Sequence, residues 1–529
     1  MSLLMVLKDY AGWTSMAGVP RIASATSWPV RIFWIAVWVA MFSIAVYQVY
    51  LIFAKFLTFP ITVQTLLQMK SQEFPVVTIC NSNPYKERNL KSGGEFRALD
   101  LLMNDYKIMN QNPGEPIPGA DTYGINTMKT LYTKNERAQE AQILLANRVT
   151  EHLRIQAGYT FNELIKDCSF NDVPCGSADF QQVVDPIYGN CYAFNHNESR
   201  MVHRSGMKSG LRVLIYVNLV QPPEFDKTQH LPTTQTIGAR VRISGKGVDP
   251  AMESYGIPVA TGTQTKIGLK LTEIKRMQRP YGICVEKDDR ENFYPNHKYS
   301  LDVCLRSCSQ RRIIAACGCA HPRYGRPESQ QTCGTDQLDC LFALRENRTW
   351  NPLKECNCNP SCEEVQYDTT ISLARYPTAA HDIPVVDSSW GASCKDQYGF
   401  FKGNVQSCLK YYHSNVAMLN VFFDTLNSEL LQEEPAYPAL SAAIELGGQC
   451  VLWLGISIIS VIEMIGLIIV MVLYACAGRK QKVKPIEDEL QKDKRIKDVS
   501  ELKQEIDKHD EAYKRAKNIG DIWGNRPNP

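Results

Sequence analysis

Residues 451–474 form an apolar segment with a few polar groups that could coordinate a cation inside a membrane. The stretch has 24 residues and one charge, on Glu463, so it is long enough to cross a bilayer core as a helix. Gly455, Ile456 and Ser457 interrupt the apolar run, and a glycine there weakens a helix. A carboxylate at membrane depth costs at least ~2.5 kcal/mol and normally faces a bundle interior or an aqueous path.

This pattern predicts a pore-lining helix for cations. The alternative is an ordinary membrane anchor with small-residue packing and one glutamate that reaches the interface. Because a single helix cannot enclose a pore, the first interpretation requires several copies of the chain.

A second apolar stretch, residues 32–54, has 23 residues without a charge and carries the aromatic side chains typical of bilayer interfaces. It is too long and begins too late for a signal peptide, and it lacks a small-residue cleavage site. We therefore expect a retained first membrane span. The rest of the 529 residues is water-soluble in character, with a net charge of +3 and mean hydropathy of −0.24. This balance indicates no nucleic-acid-binding surface.

Arg31 precedes the first span, and a basic cluster at 479–484 follows the second. Because the chain crosses the membrane twice, both groups lie on the same side of the membrane. The positive-inside rule then places both termini in the cytosol of a multi-pass protein, which we expect in the plasma membrane. The expected segments are a cytosolic segment with a re-entrant turn at 1–30, a transmembrane helix at 31–54, an extracellular domain at 55–445, a pore-lining helix at 446–477 and a charged cytosolic tail at 478–529.

Sixteen of the 18 cysteines lie between the two spans. An even, dense set on an extracellular side is typical of a disulfide framework. Five closely spaced members of the set would also suit zinc: Cys317, Cys319, Cys356, Cys358 and Cys362. No paired histidines accompany them at ligand spacing, so disulfides are favoured, and we predict no metal and no cofactor. Sequons at Asn197 and Asn347 predict glycosylation of the same segment.

The fold class indicated is α+β, with two transmembrane helices flanking a large disulfide-rich domain. Residues 86–166 show helical periodicity, with a possible capping box at Thr133 and Glu136. Period-two alternation and turn residues predict strands at 211–220, 237–245 and 265–274 in one antiparallel sheet. Residues 284–362 carry ten cysteines and predict a stapled helical module.

Several motifs along the chain make it resemble the degenerin/epithelial sodium channel family. The resemblance covers about residues 17–466 and is most specific in the cysteine spacings. The motifs are FPVVTICN at 74–81, GNCYAFN at 189–195, YGIC at 281–284, Tyr299-Ser with Cys304-x-x-x-Cys308, Cys317-Gly-Cys319, Cys356-x-Cys358-x-x-x-Cys362 with Tyr367, Gly447-Gly-Gln, and Gly455-Ile-Ser457.

The resemblance implies a homotrimer or heterotrimer in membrane lipid, with an amiloride-sensitive, sodium-permeable pore on the three-fold axis. Gly455, Ile456 and Ser457 match its selectivity filter, where carbonyls and hydroxyls strip a small cation of part of its water. Glu463 matches an acid below the filter. The implied bridges are Cys80–Cys191, Cys168–Cys175, Cys284–Cys362, Cys304–Cys358, Cys308–Cys356, Cys317–Cys340 and Cys319–Cys333, with the remaining Cys394 and Cys408 expected to pair.

The chain departs from the family pattern at two positions. The His-Gly pair before the first span is Ala17-Gly18 here, so the gating turn keeps its glycine and loses the imidazole. Some relatives open when a small residue above the pore is replaced by a larger one. Ile444 occupies that position here and is already bulky. Resting behaviour therefore cannot be carried over from those relatives.

The preferred stimulus is an extracellular FMRFamide-type neuropeptide, because the chain looks most like the invertebrate peptide-gated branch. Residues 62–70 contain no histidine, which argues against the acid-sensing branch. An amidated peptide with Arg and Phe would need an apolar aromatic pocket with carboxylates. The candidates are Phe161, Phe170, Asp172, Asp179, Phe180 and Tyr188. The alternative is that they are ordinary core aromatics and surface acids.

Other functions remain as alternatives. Within the family these are a proton-gated, constitutive or mechanically gated sodium channel. An ATP-gated two-span receptor shares the topology but not the cysteine series, and a membrane-anchored adhesion protein would not need Gly, Ser and Glu in its second span. The sequence contains no Gly-x-Ser-x-Gly, His-Glu-x-x-His or phosphate-binding loop, so we expect no enzyme.

Overall fold

The computed structural model describes residues 3–91, 93–111, 121–221, 224–286, 293–327, 329–346, 349–380, 393–476, 506–511 and 514. The chain forms two compact units. The terminal unit consists of residues 1–60 and 435–529, and the central unit of residues 61–434.

The helices of the described residues are numbered along the chain. They are α1 (Leu3–Trp13), α2 (Val19–Ser24), α3 (Trp28–Leu57), α4 (Glu87–Leu90), α5 (Arg97–Gln111), α6 (Leu131–Ala146), α7 (Glu151–Ala157), α8 (Phe161–Leu164), α9 (Met252–Tyr255), α10 (Leu301–Cys317), α11 (Leu338–Glu346), α12 (Pro352–Glu355), α13 (Val405–Asn415), α14 (Ala439–Leu454) and α15 (Ile458–Cys476).

The strands are numbered in the same way. They are β1 (Ile61–Met69), β2 (Gln72–Glu73), β3 (Val76–Asn81), β4 (Ile165–Phe170), β5 (Val173–Pro174), β6 (Phe180–Asp185), β7 (Gly189–Phe194), β8 (Met201–Val202), β9 (Leu211–Tyr216), β10 (Val220–Gln221), β11 (Glu224–Thr228), β12 (Gly238–Ser244), β13 (Ile257–Ala260), β14 (Thr263–Lys275), β15 (Glu363–Arg375), β16 (Val416–Phe423) and β17 (Asn427–Pro435).

The terminal unit is built around α3, which is 30 residues long and includes all of the predicted span at 31–54. Pro29 lies in its first turn, where a missing N–H costs nothing. Its large apolar side chains are mostly exposed, and α3 is long and apolar enough to cross a membrane. The opposite end of the chain supplies α14 and α15, which together form a second candidate span with a bend of 80° between them.

The central unit is built on two main sheets. The larger has eight strands in the order β1-β17-β14-β16-β9-β4-β5, with β15 also paired to β14, and the smaller has five in the order β13-β12-β3-β7-β6. Strand β3 is completely buried, as its β-branched residues and the proline before it predict. One apolar core draws on both sheets, including Val77 of β3, Val241 of β12 and Leu419 of β16.

The prediction of one antiparallel sheet for three strands is wrong. Strand β12 lies in the five-stranded sheet, whereas β9 and β14 lie in the eight-stranded sheet. In addition, β14 pairs in parallel with β16 and then with β17, while β15 pairs antiparallel with it over all 13 residues. Alternation in the sequence shows which segments are strands but contains no information about their partners.

The helical region predicted at 86–166 contains α4 to α8. Its capping box is formed by Thr130 and Thr133, not by Thr133 and Glu136, because α6 begins at Leu131. Glu136 instead forms an ion pair with Arg345 of α11. Ala138, Leu145 and Val149 of this region are buried, so its apolar side chains pack within the protein.

Eight disulfides join the 16 cysteines of the central unit. Seven of them are the pairs that the resemblance implies, and the eighth is the expected bridge between the two remaining cysteines, Cys394–Cys408. Five of them lie in the stapled module, residues 284–362, where α10, α11 and α12 are tied together. The module and the helical region share an apolar core that includes Cys319, Cys333 and Leu144. Within the module the buried members of this core are Cys319, Cys333, Leu338 and Leu341, and the cross-links add to the order that this packing supplies.

A buried ionic group links α6 to the stapled module. Glu140 accepts hydrogen bonds from His321 and Arg323, and Arg323 also pairs with Glu253. Burial alone would raise the pKa of Glu140, but the hydrogen bond from His321 and the charges of Arg323 and His321 outweigh it and lower the pKa from 4.5 to about 2. Glu140 is therefore ionised at any physiological pH. We call Glu140, Glu253, His321 and Arg323 the Glu140 network.

Of the two predicted glycosylation sites, Asn197 lies within the described residues. Asn197 is exposed in the turn after β7, where its side-chain oxygen lies 2.9 Å from His196 Nδ1. Asn347 lies outside the described residues, as do the basic cluster at 479–484 and most of the predicted tail at 478–529.

Candidate pore segment

The predicted filter residues form the break between α14 and α15. Helix α14 ends at Leu454, and Gly455 follows in the left-handed conformation with φ of 64°. The Gly455 N–H donates to the Val451 carbonyl at 3.0 Å and the Ile456 N–H to the Cys450 carbonyl at 3.3 Å. These bonds are those of a glycine-terminated helix end, so glycine is required here for a conformational reason.

Ser457 starts the second half of the broken span. Its N–H donates to Ser460 Oγ at 3.1 Å, and the Ser460 N–H donates to Ser457 Oγ at 3.3 Å. The two serines therefore cap α15 reciprocally, in the manner of a capping box. Ser460 is completely buried. Ser457 is predicted from the sequence and Ser460 is not, although their spacing of three residues is the usual signal of a capping box.

A short N-terminal segment, residues 14–18, lies against this break, and we call it the N-terminal strap. The Ala17 N–H donates to the Leu454 carbonyl at 3.1 Å, at the last residue of α14. Ser15 Oγ lies 2.6 Å from Ser460 Oγ. A strap that binds the end of one helix and the cap of the next holds both sides of the break.

Glu463 is the main anchor of the strap. One of its oxygens, Oε2, accepts bonds from Thr14 Oγ1 at 3.0 Å, from the Ser15 N–H at 2.9 Å and from Ser15 Oγ at 3.1 Å. A membrane-embedded carboxylate with three donors is well satisfied. The sequence predicts that this acid faces the cation path, but it gives no sign of the contacts with Thr14 and Ser15, which are 448 or more residues away.

Gly18 and Ala17 form the turn of the strap. Gly18 has φ of 85° and precedes α2, and a Cβ at this position would lie 3.2 Å from Trp38 Cδ1 of α3. Ala17 stands where the family pattern has histidine, and its methyl group faces Gly455. A Cβ built on Gly455 would lie 2.5 Å from Ala17 Cβ. The strap and the break therefore approach each other as closely as two small residues allow.

Ile444, the predicted gating position, is 66% exposed on α14. Next to it, Glu445 accepts a hydrogen bond from Tyr437 Oη at 2.5 Å. Lys55, near the end of α3, has its Nζ 4.0 Å from the centre of the Tyr437 ring and 3.9 Å from Glu445. This group links α3 to the start of α14, and sequence reasoning did not find it.

The residues named for a peptide pocket do not form one cavity wall. Phe170 is buried in the main core, and Phe161 and Phe180 pack with ring centres 5.1 Å apart. Asp179 pairs with Arg200, whose guanidinium lies 5.2 Å from the centre of the Phe194 ring. These contacts are those of ordinary core aromatics.

The other two residues of that set lie apart. Asp172 is exposed in a turn with φ of 60°, and Tyr188 packs beside the Cys80–Cys191 bridge with its ring 5.6 Å from Arg240. The structure therefore favours the packing interpretation for the aromatic members.

A long apolar helix, a second apolar segment broken at polar and small residues, and a disulfide-rich central unit define a membrane protein with two candidate spans. A profile of the amiloride-sensitive sodium channel family matches residues 10–467. The chain therefore belongs to the amiloride-sensitive sodium channel family, which includes the degenerins.

Individual relatives agree with this assignment. The chain is 36% identical over 515 residues to the degenerin-like protein asic-2 of Caenorhabditis elegans, which covers 95% of this chain and 93% of that protein. It is 32% identical over 376 residues to degenerin del-1 and 32% identical over 410 residues to degenerin-like protein unc-105 of the same organism. Those matches cover 68% and 74% of this chain, but only 52% and 44% of the relatives.

Proposed function

We propose that this chain is the pore-forming subunit of a trimeric, sodium-selective, amiloride-sensitive channel of the plasma membrane, with both termini in the cytosol. The observation that carries the proposal is the break at 455–457 within an otherwise apolar span. Non-helical backbone at membrane depth is tolerated only where it contacts protein or lines a water-filled path. Three copies of the break around one axis would supply a narrow ring of carbonyl and hydroxyl oxygens for a small cation.

Glu463 is proposed to add negative charge below this ring. Its Oε2 is occupied by the strap, and the second carboxylate oxygen would then face the ion path. In this arrangement the strap fixes the orientation of the acid, so that Thr14 and Ser15 act on the pore through Glu463.

The proposed stimulus is an extracellular FMRFamide-type peptide, which rests on the sequence resemblance. Because the aromatic residues first considered are packed in the core, we place the peptide in an open cavity of about 1730 Å³ in the central unit. Its lining includes the carboxylates of Glu286 and Glu363 and the rings of Tyr255 and Tyr367. Acidic groups beside aromatic rings suit a peptide that carries arginine and phenylalanine.

Voltage-clamp recording of the chain expressed alone tests the proposal. Sodium solution with and without amiloride would be combined with FMRFamide and, separately, with acid. A peptide-evoked current that amiloride blocks and that reverses near the sodium potential is expected. A current evoked by acid alone would show that protons, and not the peptide, are the stimulus. A peptide-evoked current that reverses at the chloride potential would contradict the pore assignment.

The strap makes a separate prediction. Ser15→Ala removes the side-chain bonds to Ser460 and Glu463 and leaves the backbone bond of Ser15 intact. Two such bonds contribute about 1 kcal/mol each, so we expect the stimulus concentration for half-maximal current to shift at least about fivefold. Ser43→Ala is the matched control, because Ser43 Oγ donates to the Val39 carbonyl of its own helix. Equal responses of the two variants would show that the strap does not influence gating.

The Glu140 network predicts how acid affects the central unit. The folded-state pKa of Glu140, about 2, lies below its ordinary value of 4.5, so its ionic contacts stabilise the fold fully above about pH 4.5. This contribution is lost as the pH falls from 4.5 towards 2. The difference in thermal midpoint between the parent protein and Glu140→Gln should shrink as the pH falls from 4.5 towards 2. A difference that is unchanged at the acid end of this range would contradict the assignment.

A further inference from the structure

A second, smaller cavity lies where the stapled module meets α6. It has a volume of about 440 Å³, within the range of ordinary small-molecule sites. Its lining combines side chains of α10 and α11 with Trp350, and Glu140 borders it from α6. We call it the arginine pocket, after Arg312, Arg323 and Arg345.

The charges in the arginine pocket are unbalanced. Three guanidinium groups line it against one carboxylate, that of Glu140. Arg323 is paired with Glu140 and Glu253, and Arg345 with Glu136. Arg312 has no carboxylate partner among the residues that the structure describes. Its guanidinium lies over the indole of Trp350, with Cζ 4.4 Å from the ring centre.

Stacking on an aromatic face leaves the edge of a guanidinium available, and that edge presents two parallel N–H donors to a carboxylate. Arg312 is only partly exposed, so its charge is less well hydrated than that of a surface arginine. An anion that enters the cavity would therefore meet a positioned donor whose orientation Trp350 already restricts.

Much of the remaining lining is apolar, and Ser309, His321 and Tyr324 add polar atoms to it. Ile313 of α10, together with Leu341, Phe342 and Leu344 of α11, forms the walls beside the arginines. Leu341 is buried, whereas Phe342 and Leu344 are half-buried and retain accessible surface. A small inorganic anion would leave the apolar walls exposed to water. An uncharged occupant would leave Arg312 without a carboxylate partner.

We propose that the arginine pocket binds a small amphipathic carboxylate, namely an organic acid with an aromatic or branched aliphatic body of roughly 15 non-hydrogen atoms or fewer. Its carboxylate pairs with Arg312, and its body packs against Phe342, Ile313 and Trp350. The occupant contacts both α10 and α11 next to the Glu140 network. It therefore stabilises the packing of the stapled module against α6. This binding does not depend on the proposed sodium conduction.

Equilibrium dialysis of 4-phenylbutyrate against the purified full-length protein in lipid nanodiscs tests the proposal, with 4-phenylbutanol as the uncharged probe of the same size. Saturable binding of about one acid per chain is expected, with binding of the alcohol at least about tenfold weaker. No saturable binding of the acid, or equal binding of acid and alcohol, would overturn it.

Two variants locate the site. Arg312→Gln should weaken binding of the acid at least about tenfold, and Trp350→Leu should weaken it while leaving Arg312 in place. Arg311→Gln is the matched control, since it removes the same charge from the adjacent residue of α10, which does not line the pocket. If Arg312→Gln failed to fold, Trp350→Leu would decide. Unchanged binding in Trp350→Leu, or equal losses for Arg311→Gln and Arg312→Gln, would overturn the proposed location.

Discussion

Replacement of Gly455 by alanine is expected to lower the sodium current at least about tenfold while the protein still reaches the cell surface. Alanine in the left-handed conformation costs roughly 1–2 kcal/mol, and 1.4 kcal/mol is a tenfold change in population. The new methyl group would also lie 2.5 Å from Ala17 Cβ, so the strap would have to move away from the break. Current per surface subunit, with surface protein measured by biotinylation, is the quantity to compare.

Gly466→Ala is the control for this change. Gly466 lies in α15, within the same span, and a Cβ there meets nothing within 4 Å. It is helical, so alanine relieves rather than creates strain. A normal current in Gly455→Ala would show that neither the left-handed turn nor the contact with Ala17 is needed for conduction.

Arg323→Met is expected to produce the largest loss of stability in the central unit. It leaves the buried carboxylate of Glu140 with His321 alone and removes the partner of Glu253. Removing one partner of a buried ion pair is strongly destabilising, and because Arg323 itself is about a quarter exposed we expect a loss of about 2–3 kcal/mol. The thermal unfolding midpoint of the purified protein, compared at one scan rate, measures it.

Arg148→Met provides a matched comparison. Arg148 follows α6 and pairs with Asp336 of the stapled module, so it joins the same two regions, but both side chains are more than half exposed. Exposed pairs contribute about 0–1 kcal/mol, and the midpoint should hardly move. Similar shifts for the two variants would mean that the buried network adds nothing beyond a surface ion pair.

The two candidate membrane spans and the cysteine-rich character of the central unit could be predicted because they depend on local composition. A run of 23 residues without a charge needs no knowledge of distant partners. The break at Gly455 was also visible, since a glycine followed by a serine in an apolar span is a local signal. The pairing of the cysteines came from resemblance, because spacing alone leaves many connectivities open.

The contacts between distant segments could not be predicted. Nothing in a Thr-Ser pair at 14–15 indicates that it will bind Glu463. In the same way, the alternation that predicts β14 does not show that it has two successive parallel partners. The aromatic residues near 161–180 are close in sequence and have the chemistry of a ligand pocket. Aromatic side chains contribute so much to burial, however, that a core position is the commoner outcome.

The five bridges of the stapled module are nested one inside another and never cross. Cys319–Cys333 lies within Cys317–Cys340, and successively larger loops are closed by Cys308–Cys356, Cys304–Cys358 and Cys284–Cys362, with separations of 14, 23, 48, 54 and 78 residues. Once an inner loop is closed, the next bridge joins ends that are already near each other, so its added entropic cost is small. The module can therefore be assembled from the inside outwards as the chain emerges into an oxidising compartment. Of these five bridges, a chain that stopped after Cys340 would retain the two innermost.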